Sequence, residues 1–240
     1  MKLKHIFERK ETKYIINKAT FDDFFHELMT YMNVDEYGLH TIFSLYFDTD
    51  NYTFIQHSLT KPVYKEKFRV RSYGAPTEES LLFLEIKKKV SGIVYKRRVP
   101  IPYQDYKRWQ ETGDLPMILE TTQIGKEVRW LFTQHTDLRP RVLIAYDRLS
   151  LFEKEETAFR VTFDQHIRFR QTDLHFSGET QDELVAPEID VLMEVKALGA
   201  YPLWFASLLA AYDIRKASFS KYAQTYERYL FVKGGKEHVR

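Results

Sequence analysis

The chain has 240 residues, and its 36 Lys and Arg against 34 Asp and Glu leave a formal charge of +2, too little to hold it to nucleic acid by net charge. Hydrophobic residues at 44% and aromatics at 15% supply a large core, which excludes a disordered chain, and the absence of cysteine excludes disulfides and thiolate metal ligands. Neither MKLKHIFERKETKY at the start nor YPLWFASLLAAY at 201–212 reads as a secretion signal or a membrane span, so a cytoplasmic protein is expected.

No linker, repeat or composition break divides the sequence. Residues 1–233 are expected to form a single domain and 234–240 a flexible tail, in which GGKEH lacks the spacing of a phosphate-binding loop.

In chain order, a strand is expected over 6–16, with Arg9, Glu11 and Lys13 on one face. A helix follows over FDDFFHELMTYM, capped by Thr20, with Phe21, Phe24, Phe25 and Leu28 as its apolar stripe. Strands are expected next at 41–49 and 64–73. In the second of these, KFRVRSYG puts Lys67, Arg69 and Arg71 opposite Phe68 and Val70. The strand at 81–89 sets Glu85, Lys87 and Lys89 against Leu84 and Ile86, and after the turn VSG the strand at 94–101 sets Lys96 and Arg98 against Val99 and Ile101.

Helices are expected at 103–111 and 121–135, then strands at 141–151, 158–170 and 189–197. In these, Tyr146 and Arg148 share a parity, FRVTFDQHIRFR puts Arg160, Thr162, Asp164, His166, Arg168 and Arg170 on one side, and Asp190, Glu194 and Lys196 fall together. Helices at 202–212 and 219–231 complete the chain. The class is α+β, an antiparallel sheet of eight strands, large enough to close into a barrel with the helices on its outside.

A single polar strand face is ordinary solvent surface. Six such faces rich in Arg and Lys, with few carboxylates, point instead to cations lining the inside of a closed sheet, a site for polyanions. There Arg grips phosphate oxygens in pairs, Lys67, Arg98 and Lys196 add charge, and Glu11, Glu85 and Glu194 are candidate ligands for a divalent metal. His166 on this face reads as a phosphate donor or a solvated group rather than a metal ligand, and Trp109, Trp130 and Trp204 as packing residues.

The motifs ERKETK, SLYFDT, KFRVRSYG, FLEIKKK, YDR at 146–148, FRVTFD, LMEVK and SFSKY at 218–222 resemble, in order, those of the VTC domain, the polyphosphate polymerase branch of the triphosphate tunnel metalloenzymes. The resemblance implies an eight-stranded tunnel, ATP as substrate, Mn²⁺ or Mg²⁺ as cofactor, and inorganic polyphosphate as the growing product. Lys13, Arg69, Arg71, Lys87, Arg148 and Arg160 match the family's phosphate-binding cations, and Glu194 matches its metal-binding carboxylate. Ser220 and Lys221 match a pair that contacts phosphate where the C-terminal helix opens at one tunnel mouth. Arg69, Arg71, Lys87 and Arg160 are accordingly the candidate catalytic groups. The wider superfamily opens with Glu-x-Glu-x-Lys, whereas Arg9, Glu11 and Lys13 stand here. The resemblance also implies a separate membrane protein as partner, at the inner face of the membrane.

The chemistry expected is transfer of the γ-phosphoryl of ATP to the end of a phosphate chain, which asks the protein for alignment and charge neutralisation and needs no general base. Three other readings stay open: a hydrolase of tripolyphosphate or of RNA 5′-triphosphate ends, a non-catalytic module that binds polyphosphate or inositol phosphates, and a nucleic-acid binder. The last is disfavoured because Phe and Tyr mostly share the apolar parity instead of facing bases.

Overall fold

The computed structural model describes residues 9–91, 93–154, 158–178 and 181–231. The strands are β1 Arg9–Ile16, β2 Met32–Val34, β3 His40–Asp48, β4 Tyr64–Tyr73, β5 Leu81–Val90, β6 Ile93–Pro102, β7 Arg139–Glu153, β8 Arg160–Arg170, β9 Glu183–Leu184, β10 Val191–Leu198 and β11 Lys216–Ala217. The helices are α1 Lys18–Leu28, α2 Thr53–Leu59, α3 Tyr103–Thr112, α4 Ile118–Thr121, α5 Gln123–Gln134, α6 Leu203–Ala211 and α7 Lys221–Thr225, the last running on as a π-helix over Tyr226–Leu230. The tail at 234–240 lies outside the described residues.

Two compact units divide the chain, and β7 and β8 each run from one into the other. In the first unit, formed by residues up to His40, 146–167 and 186–220, the antiparallel order is β11–β1–β10–β8–β7, with β2 on β7. Its core joins the apolar faces of these strands (Tyr14, Phe163, Met193) to α1 and α6 through Phe24, Leu28 and Phe205, all fully buried. Aromatic edges meet faces throughout, as between Phe21 and Phe163 with centroids 5.0 Å apart. The cap of α1 is Asn17, whose side-chain oxygen accepts from Thr20 N at 2.8 Å. Both residues can cap, and the helix starts at the earlier one, leaving Thr20 inside the first turn.

In the second unit, formed by 41–145, 168–185 and the residues from 221 onward, the order is β7–β3–β4–β5–β6, with β9 on β8. Phe47, Phe68, Leu84 and Leu143 pack there against α2, α3 and α5. The helix expected over 121–135 is interrupted at Thr122, which accepts from Gly125 N at 3.0 Å and starts α5 afresh. Gly125 is required at that corner, because a Cβ would stand 2.5 Å from Leu119 Cα.

The expected class, α+β with helices on the apolar side of an antiparallel sheet, is what the structure shows. Strand closure is not: the pairing runs over eleven strands rather than eight, and among the described residues β11 and β6 are left as its edges. The helix expected over 219–231 opens at Lys221 and changes from α to π hydrogen bonding at Tyr226.

Candidate anion-binding site

In the first unit, register builds one polar face from three strands. Glu11, Lys196 and Arg160 form one row across β1, β10 and β8, and Lys13, Glu194 and Thr162 form the next. Lys13 Nζ lies 3.1 Å from Glu194 Oε1 and donates to Phe219 O at 2.9 Å. Arg148 reaches in from β7, donating from Nε to Asp164 Oδ1 at 2.5 Å and from Nη2 to Asp164 Oδ2 at 2.7 Å and Glu194 Oε2 at 3.1 Å. Burial, the largest single influence, would pull the Arg148 pKa down, but Asp164, Tyr146 and Glu194 together outweigh it and push the guanidinium above its ordinary value. Lys196 stands 3.9 Å from Glu11, and the Arg160 side chain is exposed. Carboxylates and cations are therefore mixed on this face, with Lys196 and Arg160 the one directly opposed pair of like charges in these two rows.

The second unit is different. Strand parity and register bring Lys65, Lys67, Arg69, Arg71, Lys87, Lys89, Lys96 and Arg98 to one face of β4, β5 and β6, with Glu85 as the one carboxylate of those three strands on that face. Lys67, Lys87 and Lys96 stand directly opposite one another in a row. Like charges opposed across a sheet destabilise it, and Glu85, which reaches Lys96, is the one carboxylate these three strands set among them, so a further anion relieves the row. Burial works against ionising Glu85, but Arg69, Arg71 and Lys96 outweigh it and hold its carboxyl down to about 2. Arg69 donates to Glu85 Oε2 from Nε at 2.8 Å and from Nη2 at 2.6 Å, Arg71 Nε lies 3.7 Å from the same oxygen, and Lys96 Nζ lies 2.9 Å from Oε1.

Tyr46, on β3, accepts a hydrogen bond from Arg69 Nη1 at 2.9 Å. Burial raises its phenol, yet Arg69, Lys67 and Arg71 bring it down to about 8. Its ring stacks on Tyr222 at 4.5 Å, and Tyr222 Oη donates to Asp48 Oδ2 at 2.8 Å. Asp48, fully buried at the end of β3, also accepts from Phe54 N and Ile55 N and so fixes the start of α2. Lys67 Nζ sits 5.7 Å from the Tyr222 ring centroid and Arg98 4.8 Å from that of Phe83.

Of the residues singled out in the sequence, Lys67, Arg69, Arg71, Glu85, Lys87 and Arg98 share the second unit's face, and Glu11, Lys13, Arg148, Arg160, Glu194 and Lys196 lie together in the first. Ser220 directly precedes α7, and the buried Lys221 opens it. Arg168 and Arg170 do not serve the charged face. Both reach Asp182, and Arg170 also binds the carbonyls of Asp173, His175 and Ser177, fastening the loop that follows β8. His166 adopts a left-handed φ of 47° within β8 and meets Asp147 Oδ2 at 3.1 Å. Sequence reasoning missed Asp164, Tyr46 and Tyr222 as partners, although all three lie in the quoted motifs FRVTFD, SLYFDT and SFSKY.

Among the described residues, no three acidic or histidine side chains come together as a ready-made metal cage. A hard divalent ion that keeps waters and phosphate oxygens needs only one or two carboxylates. Glu194 suits that role, and its two oxygens now face Lys13 and Arg148. At Glu85 a metal would have to displace Lys96 or Arg69.

This is an antiparallel α+β protein whose second unit concentrates eight cations around a single carboxylate on one strand face. The VTC domain model matches residues 8–230, and the chain belongs to that family. No curated protein matches the sequence. Among solved structures, a candidate adenylate cyclase from Bacillus halodurans is similar over 92% of this chain and 98% of its own, with 14% identity and a TM-score of 0.57. A candidate adenylyl cyclase from Hippeastrum, described as revealing a dominant triphosphatase activity, is similar over 92% and 96% with 14% identity and a TM-score of 0.55. At that identity the likenesses show a shared fold.

Proposed function

We propose that the protein is a metal-dependent phosphotransferase acting on triphosphate and polyphosphate, and that its reaction is ATP-dependent extension of inorganic polyphosphate. The observation that carries this reading is the row Lys67–Lys87–Lys96 beside Arg69 and Arg71, an arrangement whose repulsion a chain of phosphates relieves. Membership of the VTC family supports it, and the triphosphatase activity described for the Hippeastrum protein is in keeping with the same substrate class.

In this reaction a terminal oxygen of the phosphate chain attacks the γ-phosphorus of ATP, the bond to the β–γ bridging oxygen breaks, and ADP leaves. The attacking oxygen is already ionised, so the protein's task is to hold and neutralise. Arg69, Arg71 and Lys87 in the second unit and Arg160 in the first are proposed as catalytic cations. Lys67, Arg98 and Lys221 in the second unit, and Lys13, Arg148, Lys196 and Ser220 in the first, are proposed to bind substrate phosphates. Glu194, with Glu11 diagonal to it on β1, is proposed to hold Mn²⁺ or Mg²⁺ in the first unit, and Glu85 is a separate candidate ligand in the second; the metal would supply charge neutralisation. A separate membrane protein at the inner face of the membrane is the proposed partner.

Purified protein incubated with ATP, Mn²⁺ and a short polyphosphate primer is expected to give a ladder on a gel, lost in Arg69→Ala and Glu194→Ala. Orthophosphate without a ladder assigns a hydrolase of tripolyphosphate or RNA 5′-triphosphate instead. Unchanged ATP with retained tripolyphosphate binding assigns a binding module.

A further inference from the structure

The tip of the β5–β6 hairpin is apolar on one face, and Val94 extends it onto the other beside Lys89 and Lys65. Val90 pairs with Ile93 across the turn and with Tyr64 at the start of β4, and Ser91 donates its N–H to Val63 O at 2.8 Å. Parity places Tyr64, Val90, Ile93 and Tyr95 on one side of the ribbon and Val94 on the other, and Val63 directly precedes β4. All six are exposed, Val63 at 72%, Ile93 at 54% and Val94 at 48%. Scattered apolar residues on a surface need no explanation, but six contiguous ones at the end of an edge hairpin do.

Charge surrounds them. Lys61 precedes β4, and Lys65, Lys87, Lys88, Lys89, Lys96 and Arg97 lie on β4, β5 and β6, against Glu66 and Glu85 on those strands and Glu127 on α5, with Glu85 reaching Lys96. Glu127 is taken by Lys88 and Arg97, and Glu66 accepts from the Tyr64 hydroxyl, which leaves an excess of positive charge directly behind the apolar tip.

We propose that this hairpin tip docks on an anionic lipid bilayer, with Val90, Ile93 and Val94 entering the boundary between headgroups and acyl chains and the lysines behind them meeting anionic headgroups. A soluble polyanion would leave the aliphatic side chains in water, and an apolar protein groove would leave the lysines beside and behind them unmatched. An exposed apolar tip with cations beside and behind it fits an anionic bilayer surface. This goes beyond the phosphoryl-transfer reading and does not depend on it.

The test is co-sedimentation of the full chain with vesicles of phosphatidylcholine, with and without phosphatidylserine. Binding is expected only with phosphatidylserine, and Val90→Ser/Ile93→Ser/Val94→Ser is expected to weaken it about tenfold or more while leaving tripolyphosphate binding unchanged. In a second measurement, Ile93→Trp is expected to shift its added emission to the blue on phosphatidylserine vesicles. Equal sedimentation of wild type and triple variant, no emission shift on bound vesicles, or full release of the wild type by tripolyphosphate would overturn the proposal, since headgroups would then merely occupy the cationic strand face. Absence of vesicle binding, with capture by an acidic protein instead, also overturns it.

Discussion

Glu85 is held from both ends: Arg69 Nη2 lies 2.6 Å from Oε2 and Lys96 Nζ 2.9 Å from Oε1, in a setting where the carboxylate side chain is only 2% exposed. Removing one member of a buried ion network strands the others. Glu85→Gln is therefore expected to cost on the order of 3 kcal/mol of stability, read as a lower urea midpoint. Added tripolyphosphate is expected to restore much of that loss by supplying the missing negative charge, and no restoration would show that the cluster does not take phosphate.

The same carboxylate sets an acid limit. Its pKa falls from an ordinary 4.5 to about 2 on folding, so the stabilisation it contributes is complete above 4.5 and is lost as pH falls from there towards 2. Urea midpoints of the wild type across that window are expected to decline more steeply than those of Glu85→Gln. Parallel curves would remove Glu85 as the cause.

Arg148 to Asp164 is the strongest pairing of the first unit, two short hydrogen bonds to a fully buried carboxylate. Lysine keeps the charge but cannot make the planar two-point contact or reach Glu194 at once. Arg148→Lys is expected to lower stability by about 2 kcal/mol, measured by thermal unfolding.

The parity of KFRVRSYG is enough to place Arg69 and Arg71 on one face, because a strand's period of two is local. That Lys67, Lys87 and Lys96 form a row is not local, since it depends on the registers of two hairpins, and one residue of slip would move every cation to the other side. Arg168 and Arg170 continued the charged parity of β8 but belong to Asp182, twelve and more residues further on, because a left-handed His166 and a folded-back loop intervene. Thr20 and Asn17 offer the same capping chemistry three residues apart, and nothing in their neighbours separates them. Tyr222 was visible only as part of SFSKY. Its role comes from a stack on Tyr46 and a bond to Asp48, across 174 residues of chain.

That bond makes a further prediction. Tyr222→Phe keeps the stack but takes one donor from the buried Asp48 carboxylate, at a cost of about 1–3 kcal/mol in thermal or urea unfolding. Tyr46→Phe keeps the same stack and loses only its contact with Arg69. The Tyr222 variant is therefore expected to be the less stable of the two, and equal stability would deny Asp48 its part in holding α7.

Anion binding is expected to depend on pH in a direction set by Lys96. Burial lowers its ammonium to about 8, with Glu85 opposing and Arg71 and Arg69 adding to the drop, while nearly half of the side chain remains in contact with water. A phosphate chain beside it favours the charged form, so its pKa rises on binding and a proton is taken up near pH 8. Tyr46, also brought to about 8, contributes with the same sign, because an arriving anion disfavours its phenolate. Affinity for tripolyphosphate is therefore expected to fall as pH rises through 8. Calorimetry in two buffers of different ionisation enthalpy is expected to register proton uptake by the wild type, and less by Lys96→Arg, whose guanidinium stays protonated throughout. Equal uptake by the two proteins would exclude Lys96 from the anion's surroundings, and with it the row of lysines on which the phosphate reading stands.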